Sequence, residues 1–81
     1  MEATQHLDPE AQRMGATIRE MRTMRGLTQD QLANAALVSR AYLANIEAGR
    51  KRASGRVVAR IAAALAVSQM AIIRPDQIAA A

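Results

Sequence analysis

The sequence has no cysteine, tryptophan or phenylalanine, a single histidine, His6, and a single aromatic side chain, Tyr42. Without cysteine there is no disulfide framework, and one histidine without partner ligands rules out a zinc site, so His6 is assigned no role. A chain of 81 residues has little apolar surface to bury, and its core must come from packing alone, helped by a second copy of the chain if one is present. The shortage of aromatics, set against an abundance of Ala, Leu, Ile, Val and Met, favours helix over sheet, and no segment carries a convincing strand signal. The amino terminus lacks the basic start and apolar run of a signal peptide. The longest apolar stretch, Val57 to Ile73, is broken by Arg60, Ser68 and Gln69 and is too short and too polar to span a bilayer. The expectation is a soluble, cytoplasmic protein with no membrane partner. Catalytic equipment is missing as well: no cysteine nucleophile, no placed histidine, no paired carboxylates and no glycine loop to cradle phosphate. The reading is therefore not an enzyme, with no cofactor, no metal and no small-molecule effector.

What is present is positive charge, unevenly placed. The net charge is +4, yet residues 1–12 carry Glu2, Asp8 and Glu10 and no Lys or Arg. Between Arg40 and Arg74 stand Arg50, Lys51, Arg52, Arg56 and Arg60 against Glu47 alone. That asymmetry points to a polyanionic partner, although a solvated basic loop has the same composition.

Five short helices are expected. Residues 1–7 read as a loose arm. Asp8-Pro9-Glu10 starts the first helix: Asp accepts from the free amides of the first turn, Pro fits the first helical position and Glu suits the positive helix end. Met14, Ile18, Met21 and Arg25 follow at helical spacing, Gly26 stops the helix, and Gly15 is expected to weaken it by about 1 kcal/mol relative to Ala. Thr28 with Gln31 forms a capping-box pattern for a second helix whose apolar face is Leu32, Ala33 and Ala36. Ser39 caps a third, Arg40 to Ala48, ended by Gly49. Ser54 caps a fourth with Val58, Ile61, Ala62 and Leu65 as its buried stripe, and Ser68 a fifth carrying Met70, Ile72 and Ile73 before Pro75. The fold class is all-α, a compact bundle of about five short helices over residues 8–73, with residues 74–81 a tail that could serve dimerisation.

The stretch from about Thr28 to Ala48 holds two short helices separated by a few residues, the arrangement of a helix-turn-helix. At 100° per residue the third helix puts Leu43, Ile46 and Glu47 on one side and Arg40, Ala41, Ala44, Asn45 and Ala48 on the other, with Tyr42 at the border. The second face combines small residues, which allow close approach, with Arg and Asn. Arg can bond guanine through two hydrogen bonds, Asn can do the same with adenine, and Ala fits against a thymine methyl.

From Ile18 to Ile73 the chain resembles the lambda-repressor-like, Cro- or Xre-type helix-turn-helix regulators. The resemblance is carried by Ile18-Arg19-Glu20-Met21-Arg22, Arg25-Gly26-Leu27-Thr28-Gln29, Gln31-Leu32-Ala33, Val38-Ser39-Arg40, Ile46 to Arg52 and Ile61 to Ser68, in that order and spacing. It implies that Arg40, Ala41 and Asn45 read bases and that Gln29, at a helix N-terminus, holds a phosphate. Tyr42 is similar to a phosphate contact or a packing edge. Arg50, Lys51 and Arg52 lie in the loop that, by resemblance, runs beside the DNA backbone and supplies affinity rather than preference. Arg22 and Glu47 correspond to a structural ion pair. The implied function is a sequence-specific regulator of double-stranded DNA, a repressor binding a pseudo-palindromic operator as a homodimer and therefore nucleoid-associated. Met70, Ile72, Ile73 and Ile78 are the candidate dimerisation residues. The alternative is an antitoxin-type module that binds a partner protein and regulates its own promoter. Four departures from the family stand out: Leu37 and Ala66 sit where Gly is common, Ala53 where Pro is common, and Gly55 where an apolar anchor is common. Leu37 is expected to carry strain of about 1 kcal/mol or to reshape the turn, and the loop around Ala53 and Gly55 to be more mobile than usual.

Overall fold

The computed structural model describes residues 8–74; the arm at 1–7 and the tail residues 75–81, Ile78 among them, lie outside the described residues. Five helices follow in order: α1 Pro9–Met24, α2 Gln29–Ala36, α3 Arg40–Glu47, α4 Gly55–Leu65 and α5 Gln69–Ile73. Each starts on the cap expected for it. Asp8, Thr28, Ser39, Ser54 and Ser68 accept a hydrogen bond through their side chains from an amide of the first turn. At α2 the capping box is complete, with Gln31 accepting in return from the Thr28 amide at 2.8 Å. Such a cap satisfies donors that helix geometry leaves free, worth about 1 kcal/mol each.

The core gathers one stripe from every helix. Ile18, Leu32, Leu43, Ile46, Val58, Ile61, Leu65 and Ile72 are its largest fully buried side chains. Helix α1 packs on α3, and α2 on both α3 and α4. Gly15, expected only to weaken α1, sits at the crossing with α3: a Cβ there would overlap the Ile46 carbonyl oxygen. The glycine is what lets the two backbones approach. Ala53 is buried and belongs to the core cluster, so the loop after α3 is anchored at that point by a methyl group.

Helices α1 to α4 end by one device. A residue with positive φ follows the helix: Gly26 at 70°, Leu37 at 61°, Gly49 at 81° and Ala66 at 59°. Its amide donates to the carbonyl three residues back, and the next residue's amide to the carbonyl five back. These are the two bonds of a Schellman closure, and they use carbonyls that have no partner within the helix. Leu37 therefore takes up the left-handed turn rather than a different shape. Both Leu37 and Ala66 carry the cost of a Cβ in that region, about 1–2 kcal/mol each.

Candidate nucleic-acid interface

Helix α3 is oriented by its buried side. Leu43 and Ile46 are in the core and Glu47 is 8% exposed, leaving Arg40, Ala41 and Ala48 exposed and Tyr42, Ala44 and Asn45 half-buried. Tyr42 packs against the core cluster, which fits the packing-edge role. The outward face thus offers one long cation, one amide and a run of small residues.

Glu47 is the hub beneath this face. Arg22 Nε donates to its Oε2 at 2.7 Å and Arg22 Nη2 to its Oε1 at 3.1 Å, while Arg22 Nη1 donates to the Leu27 carbonyl at 2.8 Å. Gln29 Nε2 donates to Glu47 Oε1 at 3.1 Å. The two charged side chains are only 12% and 3% exposed. A carboxylate taken so far out of water requires this full set of donors. The cluster ties the end of α1, the start of α2 and the end of α3 into one geometry. Gln29 is thereby held half-buried at the mouth of α2, with one N–H committed internally.

Beside it lies a recess of about 170 Å³ lined by Arg19, Arg22, Gln29, Ala44, Glu47 and Ala48. Arg19 was not singled out by the sequence reading. The signal was available, since Arg19 and Arg22 are three apart on α1 and share a face. The recess is lined by Gln29, the first residue of α2, and a helix N-terminus favours an anion.

The remaining basic residues divide. Arg40 is exposed and has Asp30 for a loose partner at 3.8 Å, both side chains about two-thirds exposed at 66% and 71%; such a pair contributes little and yields readily to a stronger partner. Arg50 Nη1 donates to Asn45 Oδ1 at 3.1 Å. Lys51 is exposed. Arg52 departs from the expectation of a backbone contact. Its guanidinium is turned onto the start of α1, donating to Asp8 Oδ2 at 2.6 Å and to Glu10 Oε1 at 2.9 Å. Hydrogen bonding and charge from Glu10, then from Asp8, raise its pKa above the ordinary arginine value. The carboxylates lie more than forty positions away in sequence, and only the fold brings them within reach. Arg52 acts as a tether of the basic loop to α1.

The dimerisation candidates also divide. Ile72 is fully buried in the core of its own chain and offers no surface, a correction to the expectation. Of the α5 stripe, Ile72 closes the bundle. Ile73 is partly buried against the core, and Met70 is 44% exposed. Met24 at the end of α1 is 78% exposed and, with Thr17, Glu20, Met21, Arg25 and Val67, lines a hollow of about 560 Å³. Among the described residues no group of His, Cys, Asp and Glu could hold a metal ion, and no helix is long and apolar enough to cross a membrane.

Residues 13–71 match the family model described as a helix-turn-helix domain. Among solved structures, the chain is similar to the clp gene regulator ClgR from Corynebacterium glutamicum, at 31% identity over 91% of this chain and 96% of that one, with a TM-score of 0.79. It is also similar to the restriction-modification controller protein C.AhdI from Aeromonas hydrophila, at 28% identity over 80% of this chain and 98% of that one, with a TM-score of 0.78. A hypothetical transcription factor, NHTF, from Neisseria shares the fold at 20% identity, with a TM-score of 0.78 over 99% of this chain and 98% of that one. No curated protein sequence matches significantly.

Proposed function

The chain belongs to the helix-turn-helix family of Cro/Xre-type DNA-binding transcriptional regulators, and from that premise we propose that it is a repressor which binds a pseudo-palindromic operator as a homodimer. The observation that carries the reading is the outward face of α3, where Arg40, Ala41 and Asn45 stand away from the core on a helix fixed from behind by the Glu47 cluster. A recognition helix reads bases from its N-terminal part, which is where Arg40 and Ala41 lie. The recess at the start of α2 supplies a place for a backbone phosphate, with Gln29 and Arg19 at its rim. Lys51 and Arg50 extend the positive surface beyond α3, while Arg52 serves the protein's own α1. Repression is favoured because Asp30 is the only acidic residue of α2 and is placed against Arg40, which leaves no acidic patch for contacting transcription machinery. The homodimer is supported by the large apolar side chains left outside at Met24 and Met70, with Ile73 beside them in the count and Ile72 removed from it. Similarity to a gene regulator and to a controller protein agrees with a regulatory role for a chain of this size.

Two substitutions test the division between reading and positioning. Arg40→Ala should cost about 1–3 kcal/mol at the preferred site and relax discrimination at one base pair. Lys51→Ala should weaken all duplexes alike and lower the salt dependence by about one ion. Equal behaviour of the two variants across sequences would remove α3 as the reading helix.

A further inference from the structure

We propose that Arg50 is a specificity-determining residue that acts through Asn45: it occupies the amide oxygen, so that Asn45 presents its N–H edge to the groove and favours guanine over adenine. The inference rests on the reading of α3 as the recognition helix.

Four helix ends share the same closure. At three of them the residue after the positive-φ position is apolar and packs on the core: Leu27, Val38 and Val67. An apolar contact back to the last helical turn is the usual companion of this closure. At the end of α3 the corresponding residue is Arg50, which is exposed. Its amide donates to the Asn45 carbonyl at 3.0 Å, and its Nη1 donates to Asn45 Oδ1 at 3.1 Å. The closure thus lays the Arg50 side chain against the Asn45 side chain, and a charged hydrogen bond stands where the other ends have an apolar contact. Gly49 is needed for this return, both for its φ of 81° and because a Cβ would press on Gln12.

A guanidinium has donors and no acceptor. The amide atom facing Arg50 must therefore be the oxygen, whichever way the terminal group would otherwise turn. Asn reads adenine through both of its edges, donating to N7 and accepting from the N6 amino group. Oδ1 keeps a second lone pair, but with the first already accepting from a cation a further donor at that place meets the arginine's charge. The free N–H edge still suits an acceptor. Guanine offers N7 and O6 side by side, and both are favoured near a positive charge, whereas adenine places its amino group where O6 would be.

The test uses the full chain and compares wild type, Arg50→Ala, Arg50→Lys, Asn45→Ala and the Arg50→Ala/Asn45→Ala double variant. Each is titrated against duplexes carrying all four base pairs at the position whose discrimination Asn45→Ala abolishes. Arg50→Ala is expected to shift the guanine-to-adenine affinity ratio toward adenine by about tenfold. Arg50→Lys retains part of the preference, and Arg50→Ala has no further effect on the ratio in the Asn45→Ala background. If Arg50→Ala lowers affinity by one factor for all four base pairs, Arg50 is a phosphate contact only and the proposal falls while α3 remains the reader. If Asn45→Ala leaves discrimination intact at every position, the proposal falls together with the assignment of Asn45.

Discussion

Among the described residues, two non-glycine residues carry left-handed backbone strain, and both stand at helix ends. Leu37 and Ala66 adopt the same left-handed conformation as Gly26 and Gly49, but each brings a Cβ into it. Leu37 is 74% exposed, so its side chain gains little packing to offset the strain. Replacing either by Gly relieves about 1–2 kcal/mol and returns about 0.4–1 kcal/mol through the freer unfolded chain. Leu37→Gly and Ala66→Gly should therefore each raise stability by about 0.5–1 kcal/mol, read as a higher urea midpoint with an unchanged slope. A lower midpoint for both would show that the side chains matter more than the turn. The strain at Leu37 was legible in the sequence because a helix-turn-helix turn commonly has Gly there. The pairing of Arg52 with Asp8 and Glu10 was not legible, since charge counting along the chain cannot tell which cations the fold brings to which carboxylates.

The elements owe their boundaries to local chemistry and their mutual positions to a few close contacts. All five helix starts were legible, because an N-cap acts on amides within three residues of itself. The crossing of α1 and α3 was not, because the reason for Gly15 lies at Ile46. Helix propensity alone would have Gly15→Ala gain about 1 kcal/mol. Overlap with a backbone oxygen, which cannot step aside, should reverse that and leave a net loss of about 1–2 kcal/mol, measured by chemical denaturation; a gain would mean that the helices can separate slightly at no cost. The same crossing is locked by Arg22 and Glu47. Removing either side chain leaves the other charge largely out of water, so Arg22→Ala and Glu47→Ala should each cost about 3 kcal/mol. The double variant should cost clearly less than the sum, since each single change already breaks the pair. Simple additivity in a double-mutant cycle would show that the pair is not coupled. Helix α5 illustrates the opposite limit: an apolar stripe of Met70, Ile72 and Ile73 reads equally as core or interface, and only the packed bundle assigns Ile72 inward and Met70 outward.

At the scale of the whole molecule, the surface proposed to meet DNA is polar and basic, while α1 and α5 leave large apolar side chains exposed at Met24 and Met70. The proposed reading face combines α3, the start of α2 and the basic loop. Met24, Met70 and the hollow by Val67 mark the surface proposed for a second copy. The fold was legible almost throughout because each short helix carries both its cap and its buried stripe in a local run of residues. Which side chains of α3 face away from the core was legible from helix period, but what holds Asn45 was not, because Arg50 reaches it only through the turn at Gly49. The most direct measurement is selection of bound duplexes from a random pool at two salt concentrations. A homodimer reading DNA through α3 should return an inverted repeat with half-sites about 10–10.5 base pairs apart centre to centre, or a multiple of that. The same sequence should emerge at both salts, with affinity falling steeply as salt rises. A single enriched half-site would contradict the homodimer, and a pool with no enriched sequence, bound in proportion to salt alone, would contradict sequence reading by α3.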